Sequence, residues 1–202
     1  MSFRSKVTLA GLIALAAACN GDAVGPDNGP QQAEVFRISD GTPAGSGLLT
    51  RLPNGIATEI TVDPGVIPAG DVVTLWGAIF NNPTECALAT CDFPDMDNPA
   101  VEGSLVWLGS GIAGSGSTPY TGDVMVGDAS GDILQLFGAP SPGPGLLSPA
   151  GAEIHVILRT HGPPISGALE SQRQTFLGPN CTVEALPDEP CFDLLFVVFR
   201  AP

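Results

Sequence analysis

Chain breakers decide what this sequence can fold into. Twenty-six glycines and twenty prolines occur in 202 residues, and with asparagine and aspartate they cut the apolar stretches short. No segment sustains the 3.6-residue period of an amphipathic helix, so helices do not form the organising layer. Short apolar runs bounded by turn residues are instead the pattern of an all-β domain. The runs at 35–38, 48–52, 56–62, 72–80, 101–108, 120–126, 133–137, 153–161 and 192–199 read as strands, about ten in all. Hairpin-length spacing predicts an antiparallel β-sandwich or barrel.

Several local details go with that reading. Asn54-Gly55 is a hairpin turn signal, since both residues tolerate positive φ. The 72–80 run is apolar on both faces, and Gly77 inside it marks a bend or bulge. The 192–199 run is apolar on both sides except for Asp193, as in a central strand covered on both faces. Residues 168–176 are the one place for a helical turn or two after the leader. The prolines at 140, 142, 144 and 149 make 138–151 a loop.

The first eighteen residues have a different character. Arg4 and Lys6 precede a twelve-residue apolar run, Val7 to Ala18, too short to span a bilayer and of the right length for a secretory signal. The run ends Leu15-Ala16-Ala17-Ala18-Cys19. That ending resembles a bacterial lipobox, in which the cysteine is acylated and becomes the first residue of the mature chain. The leucine stands one place early, and Ala16-Ala17-Ala18 also fits an ordinary A-x-A cleavage site. The expectation is a leader at 1–18, cleaved to leave Cys19 anchored in the cell envelope, at the outer membrane or cell surface. The alternative is plain secretion with cleavage at the same bond. Residues 19–32 are rich in Gly, Asn, Pro and Gln and read as a flexible tether. A single all-β domain is expected at 33–202.

Cleavage removes Arg4 and Lys6, which changes the net charge from −14 to −16 and leaves five arginines and no lysine. Such a surface repels phosphate backbones, so nucleic acid is excluded as a partner. The expected membrane contact is the lipid anchor alone; any protein or glycan partner is left open.

Five cysteines are present. With Cys19 acylated, Cys86, Cys91, Cys181 and Cys191 remain, and an exported chain forms disulfides. Four cysteines allow three pairings; the local one, Cys86–Cys91 with Cys181–Cys191, is expected. Zinc is the competing use, but the nine-residue gap between the second pair is atypical for it.

Both histidines fall in one strand, Glu-Ile-His-Val-Ile-Leu-Arg-Thr-His at 153–161. Ile154, Val156 and Leu158 share one face; Glu153, His155, Arg159 and His161 share the other, interrupted by Ile157. This is the expected ligand site if there is one. His155 and His161 are roughly 20 Å apart on a regular strand and share no metal ion. A solvated or structural face is the bland alternative, with Glu153 paired to an arginine and His161 bonded to the turn at Gly162. A second possible site is the loop carrying Asp92, Asp95, Asp97 and Asn98. Its oxygens suit calcium if they converge, though the glycine and closing glutamate of an EF-hand are missing. Gly109-Ser110-Gly111-Ile112-Ala113-Gly114 matches a dinucleotide motif in letters only, because no helix follows to receive a phosphate. There is no G-x-S-x-G elbow.

Thr74-Leu75-Trp76, Phe80-Asn81-Asn82-Pro83, Asn98-Pro99-Ala100-Val101 and Arg159-Thr160-His161-Gly162-Pro163 resemble an uncharacterised group of exported bacterial proteins over most of 48–181. They also faintly resemble the chordin-type (CHRD) domain, an exported β domain with a His-x-His-x-Gly signature. Here Arg159 stands where the first histidine would be, and His161-Gly162 remains. Neither resemblance implies an established activity, so no catalytic residue is carried over.

The expected function is a lipid-anchored extracytoplasmic β domain with a binding or structural role. The rivals are a small β-barrel hydrolase or isomerase using Glu153, His155 and Arg159, and a calcium-dependent adhesion module.

Overall fold

The computed structural model describes residues 29–179, 181–182 and 190–202. The expected leader, Cys19 and most of the expected tether lie outside the described residues. Eight strands form one sheet: β1 (Gln31–Arg37), β2 (Pro43–Leu52), β3 (Gly55–Val62), β4 (Val72–Phe80), β5 (Gly103–Ile112), β6 (Thr118–Met125), β7 (Glu153–Thr160) and β8 (Phe192–Phe199). β1 therefore includes Gln31 and Gln32, the last two residues of the expected tether.

The spatial order is β5-β4-β7-β8-β1-β2-β3-β6, and every ladder is antiparallel. The sheet curls until β5 and β6 approach each other, giving a nearly closed all-β barrel. Glycines permit that approach. A Cβ on Gly109 would lie 2.3 Å from the Thr121 carbonyl oxygen, and one on Gly122 would lie 2.7 Å from Leu108 Cβ. The Gly/Ser run that reads as a turn from residue 109 is thus strand as far as Ile112.

Among the described residues eight strands form, where about ten are expected. Residues 133–137 are not a strand: Leu134–Phe137 is a 3-10 turn, its Leu134 buried against the outside of the barrel. The helix expected near 168–176 is α1 (Leu169–Gln174). The β2–β3 hairpin turns at Pro53-Asn54, since Leu52 pairs with Gly55, and Asn54 has no positive φ. The irregularity expected at Gly77 lies on the neighbouring strand. Leu75 pairs with Gly109 and Trp76 with Trp107, so Leu108 is the extra residue. Gly77 leaves room for it, because a Cβ there would lie 3.0 Å from the Leu108 methyls.

Two apolar clusters result. The barrel interior is filled by Val35, Leu49, Ile56, Ile60, Leu75, Ile79, Val156, Leu195 and their neighbours. A second cluster lies outside the barrel, on β4, β5 and β7. There Trp76, Phe80 and Leu105 are covered by Cys91, Met96 and Val101 from the β4–β5 connection, Leu134 from the β6–β7 connection and Phe176 from the β7–β8 connection. β4 is consequently buried along its whole length, as its two apolar faces require. β8 is not. Leu195, Val197 and Phe199 face the interior, while Phe192 is exposed and Phe196 only half-buried. The expectation of a doubly covered β8 fails because the loops cover β4, β5 and β7 instead.

Candidate functional site

β7 carries the polar residues singled out by sequence, and its alternation holds. Ile154, Val156 and Leu158 pack inside the barrel. Glu153, His155, Arg159 and His161 point outward, under the loops that cover the second cluster. That face is not solvated. Relative exposure is 2% for Glu153, 0% for Arg159 and 2% for His161.

At the start of the strand, Glu153 Oε1 accepts from the Cys91 backbone N–H at 2.8 Å and from His155 Nε2 at 2.7 Å. The Cys86–Cys91 disulfide, with Cα atoms 5.3 Å apart, fixes the loop that delivers the Cys91 amide. The His155 ring packs on Phe80, with centroids 4.8 Å apart, and its side chain keeps 15% exposure. Because a carboxylate only accepts, Nε2 carries a proton. A carboxylate that orients an imidazole in this way is one component of general-base chemistry. The expected pairing of Glu153 with an arginine is replaced by this pair.

Four residues on, roughly 13 Å along the strand, Arg159 does different work. Its Nε donates to the Phe176 carbonyl at 3.0 Å, Nη1 to Asp193 Oδ1 at 2.8 Å and Nη2 to the Thr182 carbonyl at 3.0 Å. The guanidinium lies 4.0 Å from the centre of the Phe176 ring. The charge is spent on fastening the β7–β8 connection and β8, so it is not presented to a ligand.

His161 follows the end of β7. Trp76 Nε1 donates to Thr74 Oγ1 at 2.9 Å, and Thr74 Oγ1 lies 2.9 Å from His161 Nε2. His161 Nδ1 lies 3.3 Å from Cys181 Sγ. Cys181 and Cys191 form the second disulfide, with Cα atoms 5.4 Å apart, so that sulfur has no proton to give. The chain of bonds then has one direction: Trp76 to Thr74, Thr74 to Nε2, and Nδ1–H to the sulfur. Burial, with the Arg159 charge second, pushes the His161 pKa down to about 4. His161 is neutral near pH 7 and does not bond the Gly162 turn, where Thr160 Oγ1 accepts from the Gly162 amide.

In the acidic loop, three of the four expected calcium ligands are engaged with backbone amides. Asp92 caps the 3-10 turn Phe93–Asp97 by accepting from the Phe93 amide. Asp95 accepts from the Asp92 and Ala87 amides, and Asn98 Oδ1 accepts from the Ala100 amide. Three of the expected oxygen ligands thus close three separate pieces of backbone. Asp95 lies near Cys86 and Cys91, as His161 lies near Cys181 and Cys191. In both groups the sulfurs are tied in a disulfide and supply no thiolate, the form that binds metal.

Concave sites among the described residues also lie away from this face. A tight one at the far end of the barrel is lined by Val62, Ile67, Ala113, Thr118 and Tyr120; burial pushes the Tyr120 hydroxyl up to about 12. A groove of about 310 Å³ on the outside of β2, β3 and β6 is lined by Thr50, Ala57, Glu59, Thr121 and Asp123 among others. No sequence motif pointed to either, because each depends on which strands become neighbours. Sequence reasoning also missed Arg51. It reaches the carbonyls of Pro149, Ala152 and Arg200 and ties three chain segments together where β1 begins.

Comparison with known proteins gives no match to a family model, to a curated protein or to a solved structure.

Proposed function

We propose that this chain is an exported domain, anchored in the cell envelope by an acylated Cys19, with a binding or structural role rather than a catalytic one. One observation carries the non-catalytic part: the most chemically equipped strand face is consumed in bracing loops. Arg159 has three hydrogen-bond acceptors and an aromatic ring against it, and His161 is enclosed between Thr74 and Cys181. The export part rests on the charged-then-apolar leader, the odd cysteine count and the two disulfides. Mass spectrometry of the mature N-terminus, with membrane fractionation, tests it. A diacylated or triacylated Cys19 in the membrane fraction is the expected result; an unmodified Cys19 on protein free in the medium overturns it.

A second reading, a small β-barrel hydrolase or isomerase, is favoured by one feature only, the Glu153–His155 pair with its partly exposed imidazole. Thermal melts with and without added zinc or calcium separate the two. The structural role predicts no metal effect. A metal-dependent rise in Tm that His155→Ala removes favours the second reading.

A further inference from the structure

The antiparallel order places the starts of β1, β3, β5 and β7 and the finishes of β2, β4, β6 and β8 at one end of the barrel. The chain enters the fold at this end, with Gln31 pairing with Leu49 near the finish of β2. The same end carries a group of exposed apolar side chains: Leu52, Met125, Val126 and Leu147 are each 38–43% exposed. They are held close by the backbone. Gly55 pairs with both Leu52 and Met125, the Val126 amide donates to the Asn54 carbonyl at 2.9 Å, and Val126 bridges to Leu146, the neighbour of Leu147. Four exposed large apolar side chains so near one another are a surface that water disfavours. Leu52 and Met125 take outward positions at the finishes of β2 and β6, Val126 and Leu147 lie outside the named strands, and none of the four belongs to the barrel core.

We infer that this end of the barrel lies on the surface of a lipid bilayer, with Leu52, Met125, Val126 and Leu147 touching it. The inference rests on the proposed acylation of Cys19. Twelve residue steps separate Cys19 from Gln31, a reach of at most roughly 40 Å, and they join the barrel at the apolar end. A chain anchored at Cys19 therefore enters the barrel at this end and raises its local concentration at the bilayer, which lets a weak apolar contact there set the orientation. The lipid taken as partner is zwitterionic, because a mature charge of −16 gives an anionic surface no net long-range attraction. At the opposite end Ile38, Ile112 and Phe192 are also exposed, but no anchor draws them to a membrane.

The test uses tryptophan reporters in the mature, acylated protein on vesicles of brominated phosphatidylcholine, which quenches only tryptophan at the bilayer. Leu147→Trp and Met125→Trp report on the apolar end, and Ile112→Trp on the far end, with native emission subtracted. Unchanged Tm qualifies each variant, and the two apolar-end reporters guard against one failing to fold. The expected result is loss of the added emission for Leu147→Trp and Met125→Trp and none for Ile112→Trp. An acylated Cys19 with no quenching at the apolar end, or with equal quenching at both ends, overturns the orientation and leaves the anchor standing. An unmodified Cys19 in the mass spectrum overturns the anchor, and the orientation with it.

Discussion

Arg159 and Asp193 meet at 2.8 Å across an irregular step in the β7–β8 ladder. Leu158 pairs with Leu195 and Arg159 with Asp193, so Leu194 is the unmatched residue. That extra residue lets Asp193 reach the guanidinium at the edge of the outer face. The pair is lopsided: the Arg159 side chain is 1% exposed and that of Asp193 37%.

Two variants of that pair should therefore differ. Arg159→Ala removes the donor to two loop carbonyls and empties the space against Phe176, and is expected to cost about 3 kcal/mol. Asp193→Asn keeps the shape and loses a half-exposed charge, at about 1 kcal/mol or less. Urea unfolding of both measures the difference. Equal losses would show that the ion pair, rather than the loop carbonyls, carries the effect.

The disulfides should contribute unequally. Replacing both Cys86 and Cys91 by serine is expected to cost about 2 kcal/mol, and replacing Cys181 and Cys191 about 3 kcal/mol, because the second loop is longer. The second pair also holds the sulfur facing His161. A peptide map under non-reducing conditions checks the pairing, and denaturant midpoints check the order.

His161 should make stability fall in acid. Its folded pKa, about 4, lies below the ordinary 6.5, so the unfolded chain binds the proton first. The neutral-imidazole contribution is whole above pH 6.5 and lost as pH falls toward 4, to a total of at most about 3 kcal/mol. Carboxylates titrate in the lower part of that window too, so the comparison is with His161→Gln. Its Tm should fall less steeply between pH 6.5 and 4 than the parent's. Parallel curves would remove His161 as the cause.

Leu158→Ala should cost about 2–4 kcal/mol, from lost transfer energy and the cavity left in the barrel. His155→Ala, with its ring partly exposed, should cost about 1 kcal/mol, since the Cys91 amide still bonds Glu153. Thermal melts of the two variants rank them. A larger loss for His155→Ala would mean that the outer cluster, not the barrel interior, dominates stability.

The sequence by itself determined the strand class, the alternation of β7 and the two apolar faces of β4, and it favoured the local cysteine pairing. Each rests on residues adjacent or nearly adjacent in the chain. Ile154, Val156 and Leu158 alternate with polar neighbours whatever the rest of the chain does, and Cys86 reaches Cys91 within one loop. Only the tertiary structure decided what Glu153, Arg159 and His161 are for. A polar strand face looks the same in sequence whether water or a loop covers it. Here Phe176 and the Cys86–Cys91 loop close over that face, and Cys181 closes over its His161 end; Asp193 of the next strand reaches its edge. That choice depends on contacts between residues far apart in the chain, set by how the long connections fold back on the nearly closed barrel. The periodicity of a single strand carries no record of them.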